Sequence, residues 1–170
     1  NVAIGREAMI SNTTASNNTA VGVHALYANS TLGTDNTAIG YYSLDANTNG
    51  SQNTAVGRDT LGSNTTGTRN TAVGAYSLDA NTTASHNTAV GYWALSNSTG
   101  SQNTGLGDDA LKYVTTGYIN TAVGRAAGDT ITTGVNNTCL GFNAQPSAAD
   151  SYNQITLGNG NADNLRCNDT

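Results

Sequence analysis

The sequence predicts an all-β protein, a parallel β-roll or β-solenoid of about ten coils with about 17 residues per coil. Three observations carry this. Asn-Thr-Ala-Val-Gly stands at Asn53 to Gly57 and recurs, perfectly or nearly so, nine other times. Its closing glycines, from Gly5, Gly22, Gly40 and Gly57 on to Gly141 and Gly158, keep their spacing with slips of one residue. Stacking the copies in register lines up identical side chains: Val21, Ile39, Val56, Val73, Val90, Leu106, Val123 and Leu140 in one column, Ala20, Ala38, Ala55, Ala72 and Ala89 in another.

Each copy is too short to bury anything as a helical turn, and its β-branched centre lies between Asn and Gly, which punctuate strands. It therefore reads as one short strand per coil. Side chains alternate along a strand, so Thr and Val share one face and Asn, Ala and Gly the other. A second apolar column falls four residues after most glycines, at Met9, Leu26, Leu44, Leu61, Leu78, Leu95 and Leu111, and predicts a second short strand. Polar runs such as Asn64-Thr65-Thr66-Gly67 then read as turns, because Asn and Gly tolerate left-handed backbone. The expected coil is strand, turn, strand, turn, flattened around an interior one side chain thick. The Val and Thr face then needs a second cover, most simply the same face of identical chains around an axis. A homotrimer is the expected assembly, although periodicity does not read out the order of the axis.

The repeats place the β-roll domain at residues 1–158 and leave 159–170 as a C-terminal junction. Toward the C-terminus the pattern loosens: Gly105 and Cys139 replace the column Ala, Gly128 replaces the column Leu, and Gln145-Pro146 interrupts the expected second strand. The last third reads as an array losing regularity before a different module.

Only 10% of residues are charged, and the formal net charge is -5. Six Lys and Arg scattered along the chain make no basic face, which excludes nucleic acid as a natural partner. No apolar run is long enough for a membrane span, so no membrane insertion is expected. The chain opens inside a motif, at Asn1 to Gly5, and reads as a fragment without its targeting segment. Cys139 and Cys167 are the two cysteines, and Cys139 reads as a small buried thiol in the Ala column.

The positions just after the glycines collect aromatics: Tyr41, Tyr42, Tyr76, Tyr92 and Trp93, with Phe142 in the same phase further on. Exposed aromatic rows stack on sugar rings, which makes these six the candidate ligand-binding residues. Rings at a coil corner also seal the edge of a roll or the groove between subunits, and both readings stay open. Arg6, Glu7 and His24 read as a solvated turn. Asp45 and Asp79 share a phase two coils apart, and Asp108 and Asp109 are adjacent; in an exposed turn such carboxylates lack the cleft and the raised pKa that glycoside hydrolysis needs. His86 has no carboxylate or Cys partner in phase, so no metal is expected, and no cofactor motif is present. The Thr column admits an ice-binding alternative, although it alternates with Val where paired Thr columns are usual. Hexapeptide-repeat acyltransferases need an aliphatic every six residues on three faces, which is absent. Catalysis is not expected.

The recurring Asn-Thr-Ala-Val-Gly followed by Ala-Leu resembles the head repeats of YadA-like trimeric autotransporter adhesins, left-handed parallel β-rolls with the related motif Asn-Ser-Val-Ala-Ile-Gly. It is more similar still to NTAVG-repeat fibres of bacteriophage tails and bacterial surfaces that end in an endosialidase-type intramolecular chaperone. Gln154 to Asn159 and Asn164-Leu165-Arg166-Cys167 look like the junction into that chaperone. The resemblance implies a left-handed coil and an extracellular trimeric fibre, on a cell surface or a virion tail. It also implies attachment to a target-cell glycan or glycoprotein, with shaft and binding tip both open. The adhesin coil is shorter than this one, so collagen binding is not carried over.

Overall fold

The computed structural model describes residues 1–160. Its three-residue strands are β1 Val2–Ile4, β2 Thr19–Val21, β3 Thr37–Ile39, β4 Thr54–Val56 and β5 Thr71–Val73. They continue as β6 Thr88–Val90, β7 Thr104–Leu106, β8 Thr121–Val123, β9 Thr138–Leu140 and β10 Ile155–Leu157. All ten pair in parallel, in sequence order, in a single sheet, and among the described residues there is no helix. The chain is thus a parallel β-solenoid with nine complete turns between its ten strands. The coil after each strand takes that strand's number below. The register is the one the motif dictates: Ala55 opposite Ala72, Val56 opposite Val73, and even across the altered copies Ala89 opposite Gly105 and Ala122 opposite Cys139.

The Leu column does not form the expected second strand. Leu26, Leu44, Leu61, Leu78, Leu95 and Leu111 all have φ between 51° and 54°, and the residue two before each, such as His24, Tyr42 or Asp59, is also left-handed. Alternating backbone of this kind builds a wall of turns. It keeps its main chain paired between coils: Tyr42 N–H donates back to Val23 carbonyl at 3.0 Å, and Leu44 N–H donates forward to Thr60 carbonyl at 3.0 Å. Left-handed backbone costs an L-residue roughly 1–2 kcal/mol. Full burial of a Leu returns about 1.5–3 kcal/mol, and all six Leu are completely buried. With two such residues in each coil, strain and burial are of similar size, and the main-chain pairing between coils closes the balance.

The interior lies between this wall and the sheet and contains the Ala column, the Leu column and two columns of buried Asn. Asn53 illustrates how an Asn that opens a strand motif ties three places together. The amide of Asn53 donates to Gly67 carbonyl at 2.8 Å, its Oδ1 accepts from Asn70 N–H at 3.0 Å, and its own N–H donates to Asn36 Oδ1 at 3.0 Å. The second column runs through Asn29, Asn47, Asn64 and Asn81, whose amides are linked coil to coil, at 2.8 Å from Asn64 to Asn47 and from Asn81 to Asn64. The first column lies on the Ala face, where strand alternation puts it; the second is core where the sequence reads only turns. A buried amide is tolerated where both its donor and its acceptor are used, as they are at Asn53; Asn81 Oδ1 and Asn87 Nδ2 are buried without a partner.

The glycine ending each strand is held by close approach of the next coil. Gly124 has φ 131°, and a Cβ there would lie 2.6 Å from Gly141 carbonyl oxygen. The last third remains in phase. Gly128, also at positive φ, leaves room that Leu111 and Ile131 fill: a Cβ on it would be 2.8 Å from Leu111 Cδ2 and 3.3 Å from Ile131 Cδ1. Two things change there: Ser98, Val114 and Ile131 take over the second Asn column and are buried like the Asn they follow, and in the last coil Gln145-Pro146 breaks the wall, since Gln145 is not left-handed as the Leu before it are. The Asn164–Cys167 part of the expected junction lies outside the described residues, as does any pairing of Cys139 with Cys167.

Candidate functional site

Two surfaces differ from the Ser, Thr and Asn that cover most of the solenoid. The first is the outer side of the sheet. Val21, Val56, Val73 and Val90 are half-buried, and Ile39, Leu106, Val123 and Leu140 are exposed at 38–44%. This column is therefore outside the chain's own core, and with the flanking Thr it makes one straight row of methyl groups along the sheet.

The second is the edge formed by the first five residues after each strand glycine. Tyr41, Tyr42, Tyr76, Tyr92, Trp93 and Phe142 all lie on it, because the same phase of each coil meets the same edge. So do four cations, Arg6, Arg58, Lys112 and Arg125, and seven carboxylates, Glu7, Asp45, Asp59, Asp79, Asp108, Asp109 and Asp129. The left-handed turns put aromatic and charged side chains of neighbouring coils side by side.

At the N-terminal end, His24 is no free solvated side chain. Its ring stacks on Tyr27 and Tyr42, each at 4.7 Å between centroids, and Nε2 is 2.8 Å from Glu7. Tyr42 meets Tyr41 at 4.4 Å, and the hydrogen bond with Tyr41 is the main cause that pushes the Tyr42 phenol above its ordinary pKa. Arg58 on coil 4 spans the gap between Tyr41 at 5.8 Å and Tyr76 at 5.6 Å. Tyr76 touches Tyr92 and Trp93 of the following coil, which stack on each other at 4.7 Å. Lys112 Nζ caps Trp93 at 3.7 Å and pairs with Asp109 at 2.9 Å. Phe142 stands apart from this chain, against Arg125 at 5.6 Å.

Within the stripe the rings divide by exposure. Tyr41 and Tyr92 are each 46% exposed, whereas Tyr42, Tyr76 and Trp93 are half-buried supports. The sequence signals the aromatics but not Arg58 and Lys112, whose place between rings follows from which coils neighbour one another. Tyr27 and Tyr113 join the edge as well; Tyr113 lies 5.5 Å from Lys112 Nζ.

The carboxylates of this edge are less exposed than the sequence reading expects. Asp45 and Asp79 flank Gly62, whose missing side chain brings them into one recess. Burial, foremost, pushes both above the ordinary carboxylate pKa, and neighbouring Asp59 adds to it. The raised pKa that an exposed turn would not supply is therefore present, but no cleft accompanies it. A depression among the described residues lies away from these carboxylates, lined by Asn143, Gln145 and Thr156 to Gly160. Among the described residues, no group of three or more His, Cys, Asp or Glu is placed to hold a metal ion.

The fold and its two differentiated surfaces define a β-solenoid repeat protein with an open aromatic and charged edge. The chain matches no family model, no curated protein and no solved structure with which it was compared.

Proposed function

We propose that this chain is a structural and adhesive segment of an extracellular trimeric fibre that attaches to glycans on a target-cell surface. The observation that carries the reading is the division of the surface into two functional strips. The row of Val, Ile and Leu methyls on the sheet is suited to packing against identical rows, since regular half-apolar rows of parallel chains close around a rotation axis by repeating one contact. The aromatic edge begins beyond the strand glycine and carries most of the chain's aromatic and charged side chains. A rod of nine coil steps is roughly 45 Å long at the spacing of neighbouring strands. Such a rod projects and stiffens, while its edge recognises.

A fibre of this type, on a virion tail or a bacterial surface, needs no catalytic group. A glycan-array screen of the assembled protein tests the adhesive part. Binding of a defined glycan set, lost in the Tyr41→Ala/Tyr92→Ala variant with an unchanged thermal melt, is the expected outcome. A folded protein that binds no glycan in the screen would reduce the segment to a shaft.

A further inference from the structure

The geometry points to one class of ligand for the aromatic edge: an unbranched, uncharged polysaccharide lying parallel to the solenoid axis, about one sugar unit over each coil. This rests on the adhesive reading above and names what the edge holds. Neighbouring coils repeat at about 4.8 Å along the axis. A pyranose unit in an extended chain has a similar length, so such a polymer keeps about one ring beside each coil.

The form of the edge favours a chain over a single sugar. Tyr41 and Tyr92 stand on an open surface, three coils apart, which is about 14 Å along the axis. A monosaccharide on either ring would gain one stacking contact and little else. A chain of about four units reaches both rings, and weak contacts joined in one molecule add as an effective concentration. Between the two rings the flat guanidinium of Arg58 bridges Tyr41 and Tyr76, so the intermediate coils present planar surface with free N–H donors. Trp93 is less available, being stacked by Tyr92 and capped by Lys112.

Charge selects the class. The edge carries seven carboxylates against four cations, and three of those cations are already within 2.9–3.7 Å of a carboxylate: Arg58 with Asp59, Lys112 with Asp109, Arg125 with Asp108. A polyanion would meet net repulsion and no unpaired cationic cluster. Neutral hydroxyls find acceptors in the carboxylates and donors in the paired cations.

The test is calorimetric titration of the assembled protein with neutral linear ladders, N-acetylchito-, manno- and malto-oligosaccharides, from monomer to about eight units. At least one ladder is expected to gain about tenfold or more in affinity between dimer and tetramer and then to level off, since stacking on a second ring contributes about one such step. Tyr41→Ala should abolish that gain, so that the tetramer binds no more tightly than the dimer, and circular dichroism should show the fold intact. A saccharide that binds without dependence on length would overturn the axial chain and leave the adhesive reading standing. Tighter binding of a polyanion such as hyaluronan than of any neutral ladder would overturn the uncharged class. No binding by any ladder or by the polyanion would overturn the inference, and the glycan array then decides the adhesive reading on its own.

Discussion

Replacing Asn53 by Ala removes one rung of the buried amide ladder and tests whether that ladder, more than the thin apolar core, holds the coils in register. Two hydrogen bonds disappear: the amide's donation to Gly67 carbonyl and the acceptance from Asn70 N–H. The two ends suffer unequally. Gly67 carbonyl keeps a second donor, Asn64 Nδ2 at 3.2 Å, so that loss is near the net worth of one bond, about 0.5–1.5 kcal/mol. Asn70 is fully buried and its N–H has no substitute partner, so the desolvation penalty of about 1–3 kcal/mol applies there. The expected destabilisation is about 2–4 kcal/mol in all. Guanidinium unfolding followed by far-ultraviolet circular dichroism measures it, with the exposed Thr66→Ala as control, expected within about 0.5 kcal/mol of wild type. Repeat arrays depart from two-state behaviour, so slopes as well as midpoints must be compared. An Asn53→Ala protein that unfolds with the control would refute the ladder's role.

Three further outcomes follow from the interior and the edge. Leu61→Ala empties a fully buried site between Leu44 and Leu78 and should cost about 2–5 kcal/mol in the same assay. Cys139 is buried and its thiol is pushed up to about 11, so iodoacetamide at mildly alkaline pH should label it only after unfolding; peptide mapping that finds it labelled in the native protein would contradict the placement. Asp45 and Asp79 have folded-state pKa values raised by burial, so their ionised forms are disfavoured in the fold and the penalty is full above those values. It is relieved as pH falls through them and vanishes below the unfolded carboxylate value of about 3.9. The Asp45→Asn/Asp79→Asn protein should accordingly melt higher than wild type at neutral pH, with the gap closing on acidification. A gap that widens on acidification would reverse the sign argued here.

Much of this architecture is legible because ladders repeat. Ten copies at a nearly fixed spacing give the strands and their register, and alternation along Thr-Ala-Val gives Ala inside and Thr and Val outside. The Leu wall is misread for a physical reason. A small residue followed by Leu has strand-like composition, and nothing in a Leu announces left-handed backbone, which it adopts here only because a stacked neighbour buries it. The same alternation puts the motif Asn on the Ala face, but its work as a ladder, and the burial of the second Asn column, are missed because Asn is a turn residue in isolation; its constancy at Asn18, Asn36, Asn53, Asn70 and Asn87, beside turns whose other residues vary, is the signal of a ladder. On the edge the aromatics are visible in sequence. The pairings of Arg58 with Tyr41 and Tyr76, and of Lys112 with Trp93, cross coils and depend on how the wall of turns orients its side chains.

The central claim is that the methyl row on the sheet is covered by copies of itself. The most direct measurement is solution mass by light scattering behind size-exclusion chromatography, over a range of concentrations and without crosslinker. The account predicts three times 17.3 kDa, independent of dilution. A folded monomer of 17.3 kDa that persists at high concentration would contradict it and leave the Val and Thr face open to solvent.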